Sequence, residues 1–319
     1  MNKKVLVLAA IATAVLGMTA HADEKPKVAF ITQSLENDSQ AFAWKTFQAH
    51  ADEYGFEVSV FEKDYDSQNG VAAIEQCIAQ GYTAIAINPT DATALVPSIQ
   101  EAMAEGVIVS LYSTELPDDM ATTENRTFMC GSNDFLGGQI AAETLMEQFP
   151  DGVKVVEVGG QSGHAAQLLR HDGFFSTIDE DKVEVLDSKD CDEWSTDDAQ
   201  AIMEDFIILY GDEIEAVFCH WDNGATGCIN ALADAGIEGV YVIGVDGNQT
   251  GYQQVKDGTQ GLCVGQNFDK MTTDTLDAIT AFINGEEDSF EWDTDQRNKW
   301  TAMDVVTAET IDDFPWPEW

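Results

Sequence analysis

The chain is predicted to fold as an α/β protein of two doubly wound lobes, each built on a parallel sheet. Three observations carry this reading. Ala84-Ile85-Ala86-Ile87 is an unbroken apolar run, the pattern of a short strand buried on both faces of a parallel sheet. Strand-like and helix-like runs then alternate along nearly the whole chain, as βαβ units require. About ten such units in about 300 residues exceed one comfortable domain, so they divide into two similar lobes. No Gly/Pro-rich linker separates the halves, which favours several short crossings over one tether. A single (β/α)8 barrel is the competing architecture.

The elements follow in order. In the first half, strands are expected at Lys27–Ile31, Glu57–Phe61, Ala84–Asn88, Val107–Leu111 and Thr127–Gly131. Helices fall between them at Ser39–Tyr54, Val71–Gln80 and Ala92–Glu105, where Leu95, Ile99 and Met103 recur at helical spacing. Gly55, Gly81 and Gly106 end these helices. The cycle repeats with strands at Lys154–Val158, Val183–Asp187, Ala216–His220, Val240–Val245 and Gly261–Gly265. The matching helices lie near Phe135–Gln148, Ala165–Ile178, Asp197–Tyr210, Ala225–Ala235 and Phe268–Ile283.

Residues 1–22 read as an export leader rather than as part of the fold. Lys3 and Lys4 precede a short apolar core from Val5 to Gly17, and Ala20-His21-Ala22 is a small-x-small cleavage pattern. The mature protein is therefore expected to start near Asp23, outside the cytoplasm. Of the 15 Lys and Arg, two lie in the leader, so 13 face 58 Asp and Glu, a balance of −45. Such a surface repels nucleic acid and anionic membranes, which excludes both as partners. Among the cysteines, Cys77, Cys130 and Cys263 read as core, while Cys191, Cys219 and Cys228 leave room for one disulfide. None has metal-ligand spacing, and no metal or cofactor is expected.

In doubly wound sheets, ligands bind beyond the carboxyl ends of the strands. Pro89 ends the Ala84 strand and leaves Asn88 at that edge. The other strand ends supply Gln33 and Asn37, Tyr112 and Ser113, Gln161 to His164, and Cys191 to Trp194. Trp221, Asp222 and Asn223, then Asp246 to Asn248, then Gln266 and Asn267 complete the set. Amides and carboxylates bind hydroxyls bidentately, and aromatic faces cover the C–H face of a sugar or polyol. His164, with no nucleophile beside it, reads as an ordinary loop histidine. Enzyme motifs fail: Gly160-Gln161-Ser162-Gly163 is one residue short of a nucleophile elbow, and no phosphate loop occurs.

With these segments in view, the chain resembles the ribose-binding-protein type of periplasmic solute receptor, the sugar-binding component of ABC importers. The similarity runs from Lys27 to about Thr310. It rests on Ile87-Asn88-Pro89-Thr90-Asp91, on Ser132 to Gly138, on Arg170-His171-Asp172-Gly173-Phe174, on Ala216 to Asp222 and on Val242 to Gly247. The resemblance implies two lobes joined by a three-segment hinge, with crossings near Ser132–Asn133, Gln266–Asn267 and Met303–Asp304. The first lobe would hold residues 23–132 and 267–302, the second 133–266 and 303–319. It places ligand contacts on Gln33, Asn37, Asn88, Trp194, Asp246 and Gln266. Tyr112, Ser113, Arg170, Trp221 and Asp222 join them from the strand-end reading.

The departures are equally specific. Tyr112-Ser113 stands where sugar-binding relatives usually carry Asp-Arg, and Leu168 stands where they carry a clamping Arg, with Arg170 nearby. Ser39-Gln40 replaces an aromatic pair, and Trp221 replaces an Asn. The pocket is thus expected to be more aromatic and less cationic. The implied role is delivery of a sugar or polyol by a monomer to a membrane permease. The alternatives are an amine or nucleoside-like ligand held by Trp194, Trp221, Tyr112, Asp222 and Asp246, presentation of a ligand to a chemoreceptor or sensor kinase, or a hydrolase using the cleft carboxylates.

Overall fold

The computed structural model describes residues 25–89, 93–117 and 119–319; the expected leader, and Thr90 and Asp91 of the strand-end motif, lie outside them. The chain begins with β1 (Lys27–Thr32), α1 (Asp38–Ala51), β2 (Glu57–Glu62), α2 (Ser67–Ala79), β3 (Ala84–Ile87), α3 (Val96–Ala104), β4 (Ile108–Ser113) and β5 (Phe128–Ser132). There follow α4 (Asp134–Gln148), β6 (Val153–Gln161), α5 (Ala165–Thr177), β7 (Val183–Cys191), α6 (Thr196–Tyr210), β8 (Ala216–Cys219) and α7 (Asp222–Ala235). The chain then forms β9 (Tyr241–Asp246), α8 (Gln249–Asp257), β10 (Leu262–Gly265), α9 (Phe268–Asn284), β11 (Asn298–Thr301) and β12 (Asp304–Val306).

The strands assemble into two open six-stranded sheets, which excludes the single barrel. The first runs β11-β5-β4-β3-β1-β2, with every pair parallel. The second runs β12-β10-β9-β8-β6-β7, parallel except for the β10–β12 edge. The central strands are buried on both faces, which is why β1, β3 and β8 read as continuous apolar runs. Each sheet is covered by its own apolar layers, one pair around Ile74, Ile85, Ile99 and around Phe30, Phe47, Ile279, the other around Met203, Val217, Leu232 and around Phe174, Phe218, Val245.

The chain passes between the sheets three times. β5 of the first sheet leads into α4, which packs on α5 of the second. β10 of the second leads into α9, which packs back on α1 and β5. β11 of the first leads directly into β12 of the second. Several helices begin at these strand ends on a side-chain cap: Asn37 for α1, Asn133 for α4, His164 for α5, Asn248 for α8 and Asn267 for α9. Two of these capping residues, Asn37 and His164, line the space between the sheets.

Beyond β12 the aromatic tail reaches both lobes. Trp316 packs edge-on to Tyr252 of α8, while Trp319 stacks on Phe42 of α1 and meets Phe268 of α9. The tail roofs a cavity of about 420 Å³ beside the crossings. Two sequence expectations are corrected. No disulfide forms among Cys191, Cys219 and Cys228; all six cysteines are free and buried, and these three pack together in one apolar layer between β7, β8 and α7. The segment before β10 contains a helix, α8, that sequence reading passed over because Tyr252 and Val255 are its only large apolar residues. Among the described residues no helix is long and apolar enough to cross a membrane.

Candidate functional site

The carboxyl ends of the two sheets face each other across a cleft. Its walls are Gln33, Asn37, Ser39, Gln40, Asn88, Ser113, Thr114 and Phe268 on one side, and His164, Ala166, Arg170, Trp194, Trp221 and Asp246 on the other, with Gln266 at a crossing. The space enclosed is about 40 Å³, far below the roughly 300–1,000 Å³ of a ligand pocket, because the walls touch. Gln33 meets His164 directly, and Asn223 Nδ2 donates to Asp38 Oδ2 at 3.0 Å at the rim.

Each wall is positioned by its own lobe. Asn88 directly follows β3; its Nδ2 donates to the Tyr112 carbonyl at 3.4 Å, and its Oδ1 accepts from Gln33 Nε2 at 3.1 Å. Beneath it the buried Lys63 ammonium donates to the Asn88 carbonyl, and burial pulls the Lys63 pKa down to about 7. Asn37 caps α1 with Oδ1 while its edge lines the cleft. Ser113 (φ +71°) and Asp246 (φ +127°) end β4 and β9 in backbone conformations that ordinary side chains avoid. Strain of that kind is kept where the surrounding structure fixes it, and here both residues are aimed into the cleft.

Arg170 organises the opposite wall. Its guanidinium pairs with Asp134 at 2.8 Å, donates to the His220 carbonyl, and lies 5.8 Å over the Trp194 ring. Asp134 also accepts from Thr114 Oγ1 at 3.0 Å, so this ion pair touches both lobes. Trp194 and Trp221 meet edge to face at 5.3 Å, and His164 meets Trp194 likewise. Two glycines make room for the indoles. A Cβ on Gly160 would stand 2.1 Å from the Trp194 ring, and one on Gly224 would stand 2.5 Å from the Trp221 ring. Asp246 accepts from Gln266 Nε2 at 3.0 Å. Burial, with the Asp222 carboxyl adding to it against the pull of Arg170, holds the Asp246 carboxyl well above the usual range.

Nine of the eleven expected ligand residues line the cleft: Gln33, Asn37, Asn88, Ser113, Arg170, Trp194, Trp221, Asp246 and Gln266. Two do not. Tyr112 precedes Ser113 in β4, so strand alternation turns its ring into the core, against Phe30 and Phe47. Its hydroxyl is 3.0 Å from Thr272 Oγ1. Asp222 lies behind the wall, where its carboxylate accepts from Gly247 N at 2.8 Å, Gln260 Nε2 at 2.8 Å and Cys263 Sγ at 3.1 Å. It supports the Asp246-Gly247 turn instead of facing a ligand. Sequence reading set His164 at a strand end but took it for an ordinary loop histidine and left it out of the ligand set. Its signal was available: it sits between a strand end and a helix start, and a capping residue there borders the cleft.

A profile of the periplasmic binding protein domain matches residues 28–287. The chain belongs to the periplasmic binding protein domain family. Ribose import binding protein RbsB of Salmonella typhimurium is 26% identical over 288 residues, spanning 90% of this chain and 94% of that one. The D-xylose-binding periplasmic protein of Escherichia coli is 24% identical over 289 residues, spanning 89% and 86%. A galactofuranose binding protein of known structure shares the fold with a TM-score of 0.81 at 21% identity, over 90% of this chain and 96% of that one.

In this periplasmic binding protein, Gly160→Ala should push Trp194 out of the wall. The expected result is a loss of ligand affinity of at least about tenfold, read by calorimetry, with the fold retained by circular dichroism. A second expectation concerns acid. Burial, then the charges of Lys63 and Arg170, hold the His164 imidazole neutral down to about pH 3. A histidine depressed in this way contributes stability that is full above its unfolded pKa of about 6.5 and is lost as pH falls toward 3. Between pH 7 and pH 4.5, urea unfolding should therefore show wild type losing about 2–3 kcal/mol more than His164→Asn. Equal losses in the two proteins would contradict a neutral buried imidazole.

Proposed function

We propose that the protein captures a small, neutral, hydroxyl-rich solute, a sugar or polyol, between its lobes in the periplasm and delivers it to the membrane permease of an ABC importer. The observation that carries this reading is a set of unsatisfied polar atoms in the cleft. Trp194 Nε1, Trp221 Nε1 and Gln266 Oε1 are buried without a hydrogen-bond partner. Leaving such groups unpaired costs about 1–3 kcal/mol each, so a ligand that completes them gains both affinity and orientation. Two indole donors and an amide acceptor suit hydroxyl groups, which donate and accept at once. Relatives named for ribose, D-xylose and galactofuranose support the same class.

An amine ligand fits this cleft less well. The three-ring box it needs is not formed, since Tyr112 is in the core, and the cation of Arg170 already lies over Trp194. The cleft carboxyl Asp246 is held toward its neutral form, so it is a weak counter-ion. Among the described residues that line the cleft Asp246 is the one carboxylate, so a hydrolase reading lacks its paired acids there. The recipient of the ligand, permease or receptor, follows from which membrane protein binds the loaded form.

A thermal-shift panel tests the reading. Sugars and polyols should raise Tm by mass action, by about 2.7 kcal/mol of added stability at one hundred times Kd, while amines and nucleosides should not. Asn88→Ala and Asp246→Ala should each weaken binding at least about tenfold through lost buried hydrogen bonds. Normal binding by both variants would move the site elsewhere.

A further inference from the structure

Two hydrogen-bond donors face each other across the cleft, and each is fixed from its own lobe. On the first wall the Asn88 amide donates to the Tyr112 carbonyl and so turns its oxygen toward Gln33. Gln33 therefore gives one Nε2 hydrogen to Asn88 and presents the other to the cleft. Reversing both amides would set the Asn88 oxygen against the Tyr112 carbonyl oxygen, acceptor on acceptor. On the second wall the Ala166 amide, in the first turn of α5, donates to His164 Nδ1 at 3.1 Å. A neutral imidazole with Nδ1 accepting carries its one proton on Nε2. His164 Nε2 points at Gln33 Nε2, the two nitrogens 2.5 Å apart.

Two N–H groups held in this way cannot satisfy one another. Both side chains are almost wholly buried, at 4% exposure for Gln33 and 2% for His164. An oxygen atom placed between them would accept from both, since a hydroxyl, ether or carbonyl oxygen has two lone pairs. An ammonium group would add only a third donor.

We propose that Gln33 and His164 form a two-donor seat for one oxygen atom of the ligand, and that His164 is a specificity-determining residue selecting a neutral oxygen acceptor over an amine. The proposal rests on the sugar or polyol reading and deepens it. His164 is fit for this role because the same ring nitrogen that caps α5 fixes the tautomer. Its donor is aimed before a ligand arrives. The seat lies between lobes, so an oxygen enters it while they are apart and is enclosed as they close.

The test uses the mature protein and two readouts. Two-bond ¹H–¹⁵N spectra of the histidine rings should show His164 as the Nε2–H tautomer, unchanged between pH 8 and pH 5. An Nδ1–H tautomer, or protonation within that range, overturns the proposal with or without a ligand. Calorimetry then takes D-ribose, D-allose, D-xylose and myo-inositol, with the amino-sugar counterpart of whichever binds best. His164→Asn keeps an acceptor to cap α5 but is too short to reach the seat. It should retain the wild-type Tm within about 3 °C, weaken the sugar or polyol at least about tenfold, and narrow its preference over the amino counterpart. Wild-type affinity and preference in His164→Asn overturn the proposal. If none of the panel binds wild type, the sugar or polyol reading fails, and the tautomer spectrum alone decides whether the donor pair exists.

Discussion

The buried pair of Arg170 and Asp134 is the constraint on which the cleft depends. Asp134 opens α4 immediately after the first crossing, and Arg170 lies on α5, so their contact ties a crossing to a wall. The same guanidinium holds the end of β8 through the His220 carbonyl and lies over Trp194. Asp134 takes a further bond from Thr114 of the opposite lobe. A buried ion pair of this kind adds little net stability, because desolvation offsets the attraction, but removing one partner leaves a buried charge. Its contribution here is register. It sets where the indoles stand relative to Asn88 and Gln33.

Around that pair the site is made by space as much as by polar groups. Gly160 and Gly224 leave the volumes that Trp194 and Trp221 fill, and Ser113 and Asp246 end their strands in strained backbone. Behind Asp246, the Asp222 carboxylate gathers the Gly247 and Asn248 amides and holds the turn. The result is a wall whose donors are aimed in advance, so a ligand that completes them meets little reorganisation cost.

Much of this was legible in the chain. Buried parallel strands announce themselves as apolar runs, and the rule that ligands bind at strand ends led to most of the cleft residues without coordinates. Tyr112 was misplaced because a strand end offers two adjacent residues, and only the pleat decides which one faces out. Asp222 was misplaced because a carboxylate that supports a turn and one that faces a ligand look identical in sequence. His164 was placed at a strand end but given no ligand role, because its contact with Gln33 of the other lobe is not written in the local sequence. The aromatic tail, which reaches Phe42 and Phe268 from the far end of the chain, carried no periodic signal.

The central claim is that the ligand is read between the strand ends, with one oxygen seated on Gln33 and His164. A crystal structure of the mature protein with its tightest-binding sugar or polyol tests it most directly. The account predicts a ligand oxygen within about 2.7–3.2 Å of both Gln33 Nε2 and His164 Nε2, with Trp194 against the ligand's C–H face. A ligand lodged instead in the 420 Å³ cavity beneath Trp316 and Trp319, with Gln33 and His164 still in contact, would contradict it.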